Sequence, residues 1–451
     1  MAEVRAVASL ALLYVFRMLG LFMVLPILTL YGDNYLGATT ALLGVALGIY
    51  GLTQACLQIP LGIASDYLGR KPVIVLGLVI FAFGSFVAGQ ADSIIELIVG
   101  RALQGCGAIA SAVMALVADV TSEENRTKAM AVIGASIGLS FSLAMILGPA
   151  LAAMGGIDIV FYLAGGLALV GIAILLVFVP SGSSFSGSSS SGAVIDRRVH
   201  LRFRAVSANP DLLRLNVGVF ILHACLMACF VAIPSLFESV LGWQRESHWL
   251  LYLFVLLLAF TVMMPILMYA ERRRHIKPVF VGAIITMVVC LLGLAELGHI
   301  GWLLLLCFFT FFVAFNLLEA SLPSLVSKQA PPEAKGTAMG VYATCQFLGA
   351  FVGGSTAGLV LQYFDAPALF LFAAMFTLLW CFVALSMRAP RPLVDLSVAV
   401  PQGFRDVDRI LGVKGIHEVR FGEHGATLRI KVDQDVFVET ELMQTIHRAP
   451  S

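Results

Sequence analysis

Most of the chain consists of long apolar stretches separated by short polar breaks. Each stretch is close to the length of about 20 residues that an α-helix needs to cross the hydrocarbon core of a bilayer. The breaks fall where glycine, proline and charged residues cluster, as expected for turns between helices. The pattern predicts an all-α membrane bundle of twelve spans, at residues 7–31, 40–64, 72–90, 94–119, 128–153, 158–180, 213–239, 247–270, 278–297, 301–327, 336–362 and 367–388.

The composition supports a membrane protein and argues against several other classes. Of the 451 residues, 60% are hydrophobic and 12% are charged, whereas a soluble domain carries about 25% charged residues. The net charge of +1 gives no bulk attraction to nucleic acid, so we expect no such partner. No Ser-His-Asp order, metal cluster or phosphate-binding loop is evident. We therefore expect neither an enzyme nor a bound cofactor or metal.

Basic residues predict the orientation, because loops rich in Lys and Arg stay on the cytoplasmic side. They follow the second, fourth, sixth, eighth and tenth spans, at Arg70, Lys71, Arg126, Lys128, Arg197, Arg198, Arg202, Arg204, Arg272, Arg273, Arg274, Lys277, Lys328 and Lys335. The opposite loops hold acidic residues, with Arg245 as the one basic exception. Both termini are predicted to face the cytoplasm. The first apolar run leads into further spans, so we interpret it as a span and not as a cleaved signal.

Eight cysteines lie inside apolar runs, so we expect no disulfide framework. Cys225 and Cys229 are one helical turn apart and close to His223. Two interpretations follow, a soft metal site or small polarizable packing residues within a span. We favour packing.

A serine- and glycine-rich stretch, residues 181–192, divides the spans into two sets of six. The two halves repeat each other's polar positions. Pro60 precedes Asp66 by six residues, as Pro265 precedes Glu271. We predict a first six-span half at 1–180, a cytoplasmic linker at 181–212, a second half at 213–390 and a cytoplasmic domain at 391–451.

The polar break from Gly62 to Pro72 carries the most specific pattern in the chain. It has Gly62 and Asp66 at the end of the second span, followed by Gly69, Arg70 and Lys71. Asp66 and Arg70 are four residues apart and share a face if the helix continues. Gly62 permits close helix approach, and Gly69 permits a turn conformation that other residues resist.

This spacing resembles the signature loop between spans two and three of the major facilitator superfamily. The resemblance implies that Asp66 faces the start of span eleven, near Gly336-Thr337, and that Arg70 pairs with an acid at the end of span four, here Asp119. We call Gly62, Asp66, Gly69, Arg70, Lys71 and Asp119 the cytoplasmic lock, because in that family the set closes the cytoplasmic side. Tyr67 departs from the basic residue often found there.

Further motifs extend the resemblance. Arg101-Ala-Leu-Gln104-Gly105 matches a pattern that the superfamily ties to proton coupling, and Gly148-Pro149 resembles part of its antiporter motif. Phe16–Pro26, Gly105–Ile109, Phe315–Glu319 and Lys335–Tyr342 are similar to the YajR group of bacterial transporters, as is a small domain after span twelve. Members of that group are proposed to be proton-driven exporters.

Charged and polar side chains within spans mark candidate cavity residues, since a centred charge costs about 2.5–3.5 kcal/mol to insert. They are Arg17, Arg101, Gln104, His223, Asn316 and Glu319. Glu319 is the only carboxylate predicted well inside a span, so it is either a proton carrier or a structural acid. His223 can titrate near neutrality or serve as a packing residue. Arg17 can bind an anionic group or a carboxylate such as Glu319.

In residues 391–451 the long apolar runs are replaced by short strand and helix patterns. Strand patterns at 394–400, 416–421 and 426–432 alternate with helical patterns at 404–411 and 436–446, which fits a small α+β ferredoxin-like domain. The tail holds no cysteine, so soft-metal transfer is not expected. We interpret it as a regulatory or ligand-sensing module, or as a cap on the cytoplasmic face.

The leading hypothesis is a proton-coupled exporter of small compounds in the bacterial inner membrane, a monomer that works by alternating access between the two halves. Its expected partners are a small-molecule substrate, protons and the bilayer. The alternatives are a proton symporter for uptake and a membrane sensor that signals through residues 391–451.

Overall fold

The computed structural model of the protein describes residues 2–179, 203–331, 334–387, 393–399, 407–421, 427–433, 440 and 442. It divides into two units, one of residues 1–269 and 278–387 and the other of residues 270–277 and 388–451. The predicted linker at 181–212 lies mostly outside the described residues.

The first unit is almost entirely helical. Its helices are α1 Ala2–Phe22, α2 Thr40–Leu68, α3 Arg70–Gly89, α4 Ile94–Cys106, α5 Ala110–Val120, α6 Glu123–Phe178, α7 Pro210–Leu241, α8 His248–Arg272, α9 Ile276–Leu297, α10 Gly301–Gln329, α11 Lys335–Tyr363 and α12 Ala366–Leu385. The last turn of α8 and the start of α9 belong to the second unit.

Within the described residues, eleven helical segments are long and apolar enough to cross a membrane. The difference from twelve predicted spans lies in α6, whose segment Lys128–Phe178 covers 51 residues. At 1.5 Å per residue it would extend about 77 Å, more than twice the thickness of the hydrocarbon core. Gly155 and Gly156 are non-helical inside it, with φ of −166° and 84°. The predicted spans 128–153 and 158–180 lie on either side of this break, and the count of twelve stays a prediction.

Two other predicted spans depart from a single straight helix. The first ends as an α-helix at Phe22 and continues as irregular turns to Leu30, because Pro26 cannot donate a helical hydrogen bond. The fourth is divided at residues 107–109 into α4 and α5. Gly107 approaches α3 there, and a Cβ on it would lie 2.4 Å from the carbonyl oxygen of Gly77.

Side chains satisfy the backbone groups that helix ends leave free. Thr39 caps α2 by accepting a hydrogen bond from the Leu42 backbone. Ser93 and Glu96 form a reciprocal capping box on α4. Asn209 caps α7 and Asp365 caps α12.

The α2–α11 pair joins the two halves of the bundle. Glycines on both helices allow backbone contact, and a Cβ on Gly44 would lie 2.3 Å from the Gly354 carbonyl oxygen. The contact covers the start of α2 and the later part of α11, where the Ala41 backbone donates to Gln362. Towards the start of α11 the glycines make no such backbone contact, since a Cβ on Gly336 or Gly340 would meet no atom within 4 Å.

The turns after α2 and α8 share a backbone feature. Gly69 has φ of 91° and Arg274 has φ of 59°. Each lies three residues after the acid of its half, Asp66 or Glu271. A non-glycine residue is uncommon in this left-handed region, so the match supports the repeat that the charge pattern predicts.

The second unit contains a three-stranded antiparallel sheet of β1 Leu393–Ala399, β2 Ile416–Phe421 and β3 Thr427–Asp433, in the order β1-β3-β2. A short helix, α13 Val407–Leu411, lies between β1 and β2 in the chain. Its core consists of Ile410, Val413, Ile416, Leu428, Ile430, Val432 and Leu442. The sheet order and the first helix agree with a ferredoxin-like arrangement. Of the predicted second helix, 436–446, only Thr440 and Leu442 lie within the described residues.

Candidate functional site

The cytoplasmic lock is assembled around the Arg70 guanidinium. Arg70 forms ion pairs with Asp66 and Asp119, and its Nε lies 3.2 Å from Asp119 Oδ2. It also donates to Ser65 Oγ at 2.7 Å. These contacts join the end of α2, the start of α3 and the end of α5. The pair with Asp119 is the one that the family resemblance implies.

The glycines and the lysine of the lock fix its position. A Cβ on Gly62 would lie 2.9 Å from that of Ser111, so its absence lets α5 approach α2. Lys71 donates to the Val179 carbonyl oxygen after α6. Among the described contacts, Asp66 pairs with Arg70 and with no residue of α11. In this conformation the lock therefore joins helices of the first half only.

At the opposite face, Arg245 connects the two halves. It lies in a 3-10 turn between α7 and α8, and its Nη1 donates to the Leu30 carbonyl oxygen at 2.9 Å. Its guanidinium carbon lies 5.3 Å from the centre of the Tyr31 ring, and its Nε lies 3.5 Å from Glu238 Oε1. We call Arg245, Leu30 and Tyr31 the outer latch. Arg245, the exception in the predicted loop charges, thus has a structural partner in the other half.

Arg17 is fully buried in α1 and contacts the point where the fourth span is divided. Its Nη2 donates to Gln54 Oε1 at 2.7 Å and to the Gly107 carbonyl oxygen at 2.9 Å. That carbonyl lies at the end of α4, where the helix dipole carries partial negative charge. No described acid lies within ion-pair distance of Arg17, and its Nε and Nη1 have no described partner. The hypothesised pair with Glu319 is not formed in this conformation.

Arg101 and Gln104 form a second buried network in the first half. Arg101 donates from Nη1 to Gln104 Oε1 at 2.7 Å, and Gln104 donates to Ser85 Oγ at 2.8 Å. The Arg101 guanidinium also lies 5.2 Å from the centre of the Tyr50 ring. Both side chains are fully buried, and no described contact connects them to Glu319. These contacts of Arg101 and Gln104 connect α4 to α2 and α3.

The second half contains a cluster of Glu319 on α10, His223 on α7 and Gln346 on α11. Gln346 Nε2 lies 2.8 Å from His223 Nε2 and 3.3 Å from Glu319 Oε1. His223 Nε2 lies 3.7 Å from Glu319 Oε2. The His223 side chain is nearly buried, whereas that of Glu319 is 32% exposed. The cluster therefore places an imidazole next to a carboxylate whose side chain is partly exposed and whose Oε2 atom is buried.

Aromatic rings lie beside this cluster at the junction of the halves. Phe141 of α6 lies against Phe22 of α1 and against Phe230, Phe312 and Phe315 of the second half, with ring centres 5.2–6.5 Å apart. The His223 ring is 6.0 Å from Phe315. An apolar, aromatic surface thus adjoins the carboxylate. Asn316 is half-buried on the same helix as Glu319.

The cysteine pair near His223 packs within α7. Cys225 Sγ lies 3.2 Å from Thr377 Oγ1 of α12, and Cys229 is buried. In the part of the chain that the structure describes, no group of three or more His, Cys, Asp or Glu could hold a metal ion.

Sequence reasoning missed two functional positions. The sequence shows Gln346 only as a polar residue within a predicted span, and Arg245 only as a basic residue among acidic loops. Their partners, His223 and Leu30, are 123 and 215 residues away in the chain. A polar residue in an apolar run does signal a partner, but the sequence does not indicate which one.

The sequence of this chain was compared with protein families and with individual proteins. Residues 10–354 match the family model described as the Major Facilitator Superfamily. The inner membrane transport protein YajR of Escherichia coli K12 is 45% identical over 99% of this chain and 98% of its own length. The quinolone resistance protein NorA of Staphylococcus aureus is 24% identical over 77% of this chain and 88% of its own.

A solved structure shares the fold at low sequence identity. The crystal structure of a D-xylose-proton symporter matches with a TM-score of 0.67 and 15% identity. The match covers 86% of this chain and 98% of that one.

Proposed function

This chain belongs to the Major Facilitator Superfamily and is a transporter, not an enzyme, and we propose that it is a proton-coupled exporter of small compounds. It would work by alternating access, in which a central site opens to one face of the membrane at a time. Glu319 would carry the proton, and the cytoplasmic lock would govern opening of the cytoplasmic face.

The observation that carries the proposal is the position of Glu319. It lies within a spanning helix, paired with His223 and Gln346 and next to the aromatic junction of the two halves. A proton carrier must lose and regain charge inside the transport path. The Glu319 side chain is 32% exposed, whereas its Oε2 atom is buried and has no hydrogen-bond partner among the described residues. A proton on that oxygen would therefore break no hydrogen bond.

The two ends of the bundle support alternating access. The outer latch connects the halves at one face, whereas near the other a Cβ on Gly336 or Gly340 of α11 would meet no atom within 4 Å. A bundle held together at one face and less tightly packed at the other would correspond to one of the two states that the mechanism requires. Residues 1–180 and 213–390 would be the two moving halves.

The direction of transport has two alternatives. One relative is a quinolone resistance protein, and a structural neighbour is a D-xylose-proton symporter. We therefore keep uptake by proton symport as the alternative, along with a sensor that signals through residues 391–451. The proposed location is the bacterial inner membrane, with a monomeric chain and both termini in the cytoplasm.

Flux through proteoliposomes tests the proposal. A compound chosen because it raises the melting temperature of the purified protein is loaded, and a pH gradient is imposed. We expect gradient-driven flux in the parent protein and its loss in Glu319→Gln, which keeps the shape of the side chain but cannot ionise. Glu296→Gln, at an exposed position near the end of α9, is the matched control. Flux of Glu319→Gln at the parent rate and pH dependence would place the carrier elsewhere, and binding without flux in the parent would favour the sensor.

A further inference from the structure

We propose that Glu3 is a positioning residue of the cytoplasmic lock, which holds the turn after α5 in place and thereby keeps Asp119 within reach of Arg70. This inference rests on the proposed role of the lock in opening the cytoplasmic face. It adds a residue of α1 to a set whose helical members lie on α2, α3 and α5.

The Glu3 carboxylate accepts three hydrogen bonds from the turn between α5 and α6. Ser122 donates to Glu3 Oε1 from its backbone nitrogen at 3.1 Å and from its hydroxyl at 3.4 Å. Asn125 Nδ2 donates to the other oxygen, Oε2, at 3.4 Å. An ionised carboxylate only accepts hydrogen bonds, so all three contacts suit a charged side chain. Both oxygens of Glu3 are thus directed at this one turn.

The start of α6 favours a negative charge at this place. The first turn of a helix has backbone N–H groups without helical partners and carries partial positive charge. Ser122 is the residue directly before α6, and its side chain makes no capping hydrogen bond to that helix. Its hydroxyl donates to Glu3 instead. The carboxylate that stabilises the start of α6 is therefore supplied by α1.

The turn that Glu3 binds is short and directly connected to the lock. Helix α5 ends at Val120, so Asp119 lies in its last turn and three residues before Ser122. Three residues span at most about 11 Å even when fully extended. Between them, Thr121 is buried and donates to the Val117 carbonyl oxygen of α5 at 2.7 Å. A contact that fixes Ser122 therefore also restricts where Asp119 can lie.

The contact between Asp119 and Arg70 is weak without such a restraint. The Asp119 side chain is 52% exposed, and exposed ion pairs contribute little to holding two segments together. Arg70 has two further partners at the end of α2, Asp66 and Ser65. Its guanidinium is thus held from α2, whereas the end of α5 depends on the exposed pair and on Glu3. Glu3 supplies the second restraint on that end.

Amide hydrogen exchange of the full-length protein in lipid nanodiscs tests the inference, with single residues resolved by electron-transfer fragmentation. Exchange of protected amides reports how often a segment opens. In Glu3→Ala the Ser122 amide loses its own hydrogen bond, and a role as a cap on α6 would accelerate that amide alone. The amides of Asp119 and Val120 lie within α5 and do not bond to Glu3. We expect both to exchange about tenfold faster, as the loss of a hydrogen bond to a charged group implies.

Val4→Ala is the matched control, because Val4 is an exposed residue in the same turn of α1; its exchange should equal that of the parent protein. Glu3→Gln keeps an oxygen that can accept from Ser122, so its exchange should lie between that of the parent and that of Glu3→Ala. Parent exchange at Asp119 and Val120 in Glu3→Ala would overturn the inference. An equal acceleration throughout α12 would also overturn it, because the effect would then be a general loss of stability.

Flux separates this inference from the proposed role of the lock. In the proteoliposome assay we expect Glu3→Ala to lower the transport rate, and to lower it no further in Arg70→Ala, because Glu3 acts through that pair. An equal further loss in the Arg70→Ala background would contradict the inference. If both single variants transport at the parent rate while the Asp119 amide exchanges faster, Glu3 does position Asp119 and it is the role of the lock in transport that fails.

Discussion

The outer latch can be tested by removing the side chain of Arg245. In Arg245→Ala the halves lose a hydrogen bond from a charged group to the Leu30 carbonyl oxygen, worth about 1.5 kcal/mol. They also lose a cation–π contact with Tyr31, worth about 0.5 kcal/mol at an exposed site. The low ends of both ranges apply because the Arg245 side chain is 41% exposed. The pair with Glu238 joins residues of the same half and adds nothing to closure.

The sum of about 2 kcal/mol corresponds to a shift of about 30-fold in the equilibrium between closed and open states of this face. Spin labels at Leu36 and His299, both exposed in loops at this face, would report it as a longer distance in pulsed electron spin resonance. The exposed Cys56 is first replaced by serine.

Glu238→Gln is the matched control, since it removes the ion pair within one half while it leaves both contacts across the halves. We expect its distance distribution to equal that of the parent protein. If Arg245→Ala also keeps the parent distribution, the contacts with Leu30 and Tyr31 do not hold this face closed, and the reasoning is wrong.

Two further predictions concern the lock and the packing between halves. Arg70→Ala should lower the transport rate but change the melting temperature little. The pairs with Asp66 and Asp119 are partly exposed, and such pairs contribute about 0–1 kcal/mol. A large loss of thermal stability with normal flux would contradict this prediction. Gly44→Ala should lower the melting temperature strongly, since the new Cβ would lie 2.3 Å from a backbone oxygen of α11. Gly134→Ala, at a site with no atom within 4 Å, should leave the melting temperature unchanged. Equal melting temperatures of the two variants would refute the close packing.

The apolar pattern predicted most of the helices because burial in lipid imposes a simple length rule. The irregular points within the spans involve contacts or backbone angles that the apolar pattern does not show. The fourth span is divided where Arg17, 90 residues away in the chain, binds the Gly107 carbonyl oxygen. Gly155 and Gly156 are non-helical between the predicted spans 128–153 and 158–180.

The sequence predicted which residues belong to the candidate site better than it predicted which residues contact each other. The loop pattern singled out Arg70, and the family resemblance implied its partner Asp119, which Arg70 contacts in the structure. Arg101 and Gln104 were grouped with Glu319, yet they form a packing network of their own. A buried arginine can be satisfied by backbone oxygens and amides as well as by a carboxylate, so its presence in a span does not identify its partner.

The division of the fourth span has a mechanical consequence. Helix α5 is a rod of 11 residues, or about 16 Å, with one end at the Arg17-held junction and Asp119 near the other. A tilt of about 10° around that junction would swing the far end by about 3 Å over a rod of this length. That displacement is comparable to the 3.2 Å contact between Arg70 and Asp119. A small tilt of α5 around the junction that Arg17 holds would therefore be enough to break the charged contact between Arg70 and Asp119.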